Sequence, residues 1–177
     1  MPRTCAATRW PRGIELPFDA AHLRRNAMAA LATARAVGVE PSGPIDVQLS
    51  DRRGQRHETP GGVVVVDDCY NANPMSMRAA LDELARAPGR RVAVLGDMLE
   101  LGPDEVRYHE EIGAYASERA DVLVAVGPLA AHMGADHAVA DAAQAADLVG
   151  RVMEPGDTIL VKASRGVGLQ AVAETLR

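Results

Sequence analysis

The sequence predicts an α/β domain over residues 61–177, Rossmann-like and doubly wound, with a mostly parallel sheet flanked by helices. Three observations carry this prediction. Short, mostly apolar runs recur at Val63–Val66, Arg91–Leu95, Val122–Val126 and Thr158–Val161, as expected of strands covered on both faces. Segments with apolar residues at helical spacing lie between them. Three of the runs end in polar, Asp-, Gly- or Ser-containing clusters, where an open α/β sheet builds its ligand crevice.

Taken in order, Asp19 is placed to cap a helix over Ala20–Val37. Leu23, Ala27, Ala30, Leu31, Ala34 and Val37 share one face, and Gly38 closes it. A Pro/Gly-rich break over Glu40–Pro44 follows. Ile45–Leu49 then alternates as a strand, with Asp51–Gly54 turning into a second short strand. A lone helix and hairpin bury little by themselves, so residues 1–60 read as the end of another domain.

Beyond Gly61 the rhythm is regular. Asn73 and Pro74 form a cap and first-turn pair for a helix with Met77, Ala80, Leu81 and Leu84 on its buried stripe, ending at Gly89. Asp104 is expected to cap a helix running to Ser117. A short helix over Leu129–Met133, a short strand over His137–Ala140 and a helix over Ala142–Met153 follow. Val167–Leu176 closes the chain as a helix.

Composition narrows the function. The 177 residues carry a net charge of −5, which argues against a broad nucleic-acid surface. No run reaches the ~18 apolar residues of a membrane span. Cys5 and Cys69 are too few and too far apart for a disulfide framework or zinc site, and the five histidines show no metal-ligand spacing, so the expected setting is the cytoplasm with no metal site. Eighteen of the nineteen basic residues are arginine. The one lysine, Lys162, is followed by Ala163, so the chain contains no GxxxxGK[ST] phosphate loop.

The strand-end clusters are Asp67-Asp-Cys-Tyr-Asn-Ala-Asn-Pro74, Gly96-Asp-Met-Leu-Glu-Leu-Gly102 and Lys162-Ala-Ser-Arg-Gly166. Parallel strands bring all three to one sheet edge. For Asp67 and Asp68 two readings stand side by side: turn and cap chemistry, or a carboxylate bonding ribose hydroxyls. For Asp97 and Glu100 they are a solvated loop, or a carboxylate accepting from a substrate ammonium. Lys162 is either an exposed strand-end cation or a compact ammonium demanded by its site, and with Ser164 and Arg165 it suits a carboxylate or phosphate. His109 reads as a packed or capping histidine.

Together these segments resemble the C-terminal domain of the Mur ligases, in the branch that joins D-alanyl-D-alanine to UDP-N-acetylmuramoyl-tripeptide. The stretches are Asp67–Met77, Val94–Gly102 and Leu160–Arg165, with Tyr108-His109 fitting as well. Leu16-Pro-Phe, His22, Asn26 and Ala29-Ala-Leu31 resemble the last helix of the family's central ATPase domain. The resemblance implies residues 1–60 as the end of that domain and 61–177 as the C-terminal domain. It implies ATP-dependent ligation through an acyl phosphate, in peptidoglycan precursor synthesis. Asn26 would approach adenine, Arg53 the γ-phosphate and Asp68 the ribose, with Asn71 and Asn73 shaping the nucleotide loop. Asp97, Lys162, Ser164 and Arg165 would meet the peptide or dipeptide. ATP and Mg2+ belong to the complete enzyme, with the magnesium and the phosphate loop in its central domain, which like the N-terminal domain is missing here. The expectation is therefore a chain inactive alone, in which Lys162→Ala raises the KM for peptide rather than ATP. Ala163 stands where the family's motif carries glycine, and a positive φ there would make its methyl unfavourable. A stand-alone, non-catalytic nucleotide- or peptide-binding module is the alternative reading.

Overall fold

The computed structural model describes residues 13–16, 21–45 and 54–177. The chain divides into two compact units, Met1–Leu49 and Ser50–Arg177. In the first, helix α1 runs Ala21–Ala36 and ends ahead of Gly38, as its sequence predicts. Leu31 is the buried residue among those described in this helix, and an isolated bridge joins Glu15 to Pro44. Asp19 and most of the expected strand Ile45–Leu49 lie outside the described residues.

The second unit holds six strands: β1 (Gln55–Glu58), β2 (Val64–Asp67), β3 (Arg91–Gly96), β4 (Val122–Val126), β5 (His137–Val139) and β6 (Thr158–Lys162). They lie in the order β1-β2-β6-β3-β4-β5, with only β1 antiparallel to its neighbour. The sheet is thus mostly parallel. Strand β1 pairs with β2 in this sheet, and the chain divides between Leu49 and Ser50. Strand allegiance is set by partners distant in sequence, which a four-residue polar segment does not reveal.

The pleat sorts each strand into two faces. Val92 and Val94, Val124 and Val126, and Ile159 and Val161 pack with α4 (Ala142–Val152) and α5 (Gln170–Thr175). Ala93 and Leu95, Leu123 and Ala125, and Leu160 pack with α2 (Pro74–Leu84) and α3 (Glu105–Ser117). Helices on both faces explain why these strands are apolar throughout.

The cap of α2 is the one its sequence announces. Asn73 Oδ1 accepts from the Ser76 N–H at 2.9 Å, and Ser76 Oγ accepts from the Asn73 N–H at 3.1 Å, with Pro74 in the first turn. Asp104 does not cap α3. A 3-10 turn over Gly102–Asp104 leads into that helix and holds Asp104 out of the extended geometry a cap needs; its carboxylate lies 3.4 Å from Arg107 instead. The segment after β4 is a 3-10 turn over Ala130–Met133. The closing helix is split, because Gly168 at φ +73° separates a 3-10 turn at Arg165–Val167 from α5.

Candidate functional site

Strands β2, β6 and β3 are adjacent and parallel, so the loops following them leave the same edge side by side. In the first loop, Asp67 Oδ1 accepts from the Cys69 N–H at 3.1 Å, and the Asp68 N–H extends the β2–β6 ladder to Val161 O at 2.9 Å. Cys69 is buried beside these carboxylates. Burial first, then the charge of Asp67, raises its thiol pKa far above the usual value, so it stays a protonated packing residue.

Lys162, the last residue of β6, is 1% exposed. Its Nζ donates to Asp68 Oδ2 at 2.6 Å, to Asn71 O at 3.0 Å and to Asp68 O at 3.5 Å. A lysine ammonium has three donors, and all three directions here lead into the loop after β2. Burying this charge is tolerated because its partners are in place.

The loop after β3 is held from several sides. Asp97 is buried; its Oδ1 accepts from the Ala130 N–H at 2.7 Å, and its carbonyl accepts from the Ser164 N–H at 3.0 Å. Gly127, at φ +108°, lies so close that a Cβ there would stand 2.7 Å from both Asp97 carboxylate oxygens. Met98 N–H donates to His109 Nε2 at 2.9 Å, while Nδ1 of the same buried ring donates to Glu105 O at 2.7 Å. These two bonds require the neutral Nδ1–H tautomer. Leu99 N–H donates to Ser164 Oγ at 2.9 Å. Glu100 follows at φ +65°, exposed, the one positive-φ residue other than glycine among the described residues.

The predicted site residues therefore separate into groups. Asp68, Asn71, Asn73, Asp97, Lys162, Ser164 and Arg165 gather at the one sheet edge. Asp97, Lys162 and Ser164 are buried and bonded within the chain, and the Asn73 amide is the α2 cap. Asn71 is exposed, with its Oδ1 accepting from the Ala72 N–H at 2.8 Å. Asp68 is half-buried, and Arg165 is exposed with no ion pair among the described residues. Asn26 is an exposed residue of α1 in the first unit, and Arg53 lies outside the described residues. The sequence reading missed Gly127 and Ala130 as the seat of Asp97; the glycine directly after an apolar strand was the available signal. Ala163 has no positive φ and is fully buried, with its methyl against Gly96, where an added Cβ would lie 2.7 Å from it. Among the described residues, no three His, Cys, Asp or Glu side chains come together to hold a metal ion.

A doubly wound sheet with its polar loops converging beyond the strand ends is the architecture of a ligand-binding α/β domain. Comparison with known proteins gives the family. Residues 52–165 match the family described as Mur ligase, glutamate ligase domain, and the chain belongs to the Mur ligases. It is 38% identical over 217 residues to the UDP-N-acetylmuramoyl-tripeptide–D-alanyl-D-alanine ligase of Mycobacterium leprae, an alignment taking in 99% of this chain and 41% of that protein. It superimposes on MurF from Acinetobacter baumannii with a TM-score of 0.79 at 32% identity, over 92% of this chain and 39% of that one. MurF ligase from Thermotoga maritima, solved in complex with ADP, gives 0.76 at 27% identity, over 92% and 40%. The chain thus spans about two-fifths of the length of these relatives.

Proposed function

We propose that this chain forms the C-terminal domain, with the end of the domain before it, of an ATP-dependent ligase that adds D-alanyl-D-alanine to UDP-N-acetylmuramoyl-tripeptide. The observation that supports this most is the convergence of three motif loops on one edge of the sheet, within a chain so similar to ligases of that activity. In the proposed reaction the γ-phosphoryl group of ATP passes to the tripeptide carboxylate, giving an acyl phosphate and ADP. The dipeptide amine attacks the acyl carbon, a C–N bond forms, phosphate departs with the C–O electron pair, and the amine loses a proton.

This chain's residues bind and orient. The Asp68 carboxylate, held through Oδ2, has Oδ1 to accept from ribose hydroxyls. Exposed Arg165 pairs with a carboxylate or phosphate, for which its planar fork is suited. Asn26 and Arg53 are assigned to adenine and γ-phosphate, and the Asn71–Asn73 turn forms the wall facing the nucleotide. Asp97 and Ser164 hold the loop after β3 in place beside the substrate. Mg2+ is assigned to the parts of the ligase beyond this chain.

The test is phosphate release by the ligase that carries this segment. ATP- and D-alanyl-D-alanine-dependent release is expected from the whole protein and not from the 177 residues alone. Asp68→Ala should raise the KM for ATP, and Arg165→Ala the KM for a carboxylate substrate. A whole protein that releases no phosphate in response to the dipeptide refutes the reading.

A further inference from the structure

We propose that Lys162 is a positioning residue, which fixes the Asp68 carboxylate and its loop for the nucleotide and does not touch the peptide substrates. The proposal rests on the ligase reading and reverses the role that the Leu160–Arg165 motif suggests for this lysine. Three observations carry it. The ammonium is already saturated, with donors directed at Asp68 Oδ2, Asn71 O and Asp68 O. The side chain is 2% exposed, so a substrate carboxylate has no route to it without displacing Asp68. All three acceptors lie on the loop after β2, the nucleotide side of the proposed site, although Lys162 itself stands at the end of β6.

Residue choice agrees with this geometry. Every other cation in the chain is an arginine. A guanidinium presents five donors in a planar fork, which suits a partner met edge-on. Three acceptors surrounding a buried point require the smaller, tetrahedral ammonium. Backbone pairing alone does not fix the loop, since the ladder from β6 ends at the Asp68 N–H. Asn71 O lies beyond the last ladder bond and is tied to the sheet by Lys162, while Ser164 Oγ donates to the neighbouring Ala72 O at 3.4 Å.

Two measurements decide the matter. In the full ligase, Lys162→Met and Asp68→Asn should each raise the KM for ATP about tenfold or more, as loss of one member of a buried charge pair does. The double variant should be no worse than Asp68→Asn alone, because Lys162 acts on the nucleotide only through that carboxylate and its loop. The KM for D-alanyl-D-alanine should stay within about twofold of the parent value. A raised dipeptide or tripeptide KM with an unchanged ATP KM overturns the proposal, as do additive effects on ATP.

The second measurement uses the 177-residue chain and needs neither activity nor a folded Lys162 variant. Because there is one lysine, an acetylating N-hydroxysuccinimide ester has a single side-chain amine to modify. Lys162 should label far more slowly than the α-amine, and Asp68→Asn should speed it. Rapid labelling in the native chain overturns the proposal. If the full ligase releases no phosphate with the dipeptide, the ligase reading fails, and labelling still decides whether Asp68 holds Lys162.

Discussion

Replacing Gly127 with alanine tests whether the strand-end loops form one mechanical unit. Gly127 follows β4 at φ +108°, where a side chain costs about 1–2 kcal/mol in backbone strain. The added Cβ would also stand 2.7 Å from both carboxylate oxygens of Asp97. Relieving that contact means moving a buried carboxylate off the Ala130 N–H, an overpacking penalty of about 1–3 kcal/mol. The sum is a loss of about 2–5 kcal/mol, read as a lower urea midpoint by far-UV circular dichroism at unchanged m. The informative comparison repeats Gly127→Ala in an Asp97→Ala background. There the steric part disappears and only the backbone part, about 1–2 kcal/mol, should remain. An equal cost in both backgrounds would refute the reasoning, because Asp97 would then not be what the glycine accommodates.

Two further predictions concern the frame around the site. Asn73→Ala removes the side-chain acceptor of the α2 capping box and should lower stability by about 1 kcal/mol, measured by the same urea titration; no change would mean that the cap adds nothing to the packing of Met77 and Leu81. Asp121 accepts from the Arg91 guanidinium and from the Arg91 N–H, which together hold its carboxyl down at about 2. A depressed acid stabilises the fold above its unfolded value near 4, and this contribution is lost as pH falls toward 2. With the carboxylate 42% exposed, solvent screening limits it to about 0.5–1 kcal/mol. Asp121→Asn should therefore lower Tm slightly at pH 7, with the gap to the parent closing between pH 4 and pH 2; a gap constant over that range rejects the assignment.

The parallel strands were legible because both faces of each are covered, leaving apolar runs such as Val122–Val126 with no polar interruption. The α2 start was legible because its cap is local: Asn73, Pro74 and Ser76 meet within one turn. Asp104 misled for the same reason in reverse. Its residue type suits a cap, yet the Gly-Pro pair before it winds the chain into a 3-10 turn. β1 was legible as a strand and not as a member of this sheet, since Gln55-Arg-His-Glu58 carries no apolar alternation to tie it to β2. Among the candidate site residues, sequence indicated the sheet edge they share, but not which side chains would already be bonded within the chain. Asp68 and Lys162 are 94 positions apart, and only the crossover that places β6 beside β2 makes them partners.

That crossover also explains how one short motif can serve two purposes. Lys162 is still in the sheet, on the face occupied by Leu160, where its stem runs beneath the loop after β2 and its charge ends among that loop's acceptors. Ser164 has left the strand; it receives the Leu99 N–H and its own N–H reaches Asp97 O, locking the loop after β3, while its hydroxyl donates to Ala72 O at 3.4 Å in the loop after β2. Arg165 begins a 3-10 turn and lies outside both locks, exposed. Over four residues the chain thus holds the loop after β2, then bridges both loops through Ser164, and then leaves the Arg165 cation exposed. The choice of cation follows the same progression: an ammonium where the charge is enclosed by fixed oxygens, a guanidinium where it is exposed and, on the proposed reading, meets an anion. On the proposed reading, a substitution at Lys162 therefore acts through the shape of the loop after β2, and one at Arg165 through lost contact with a ligand.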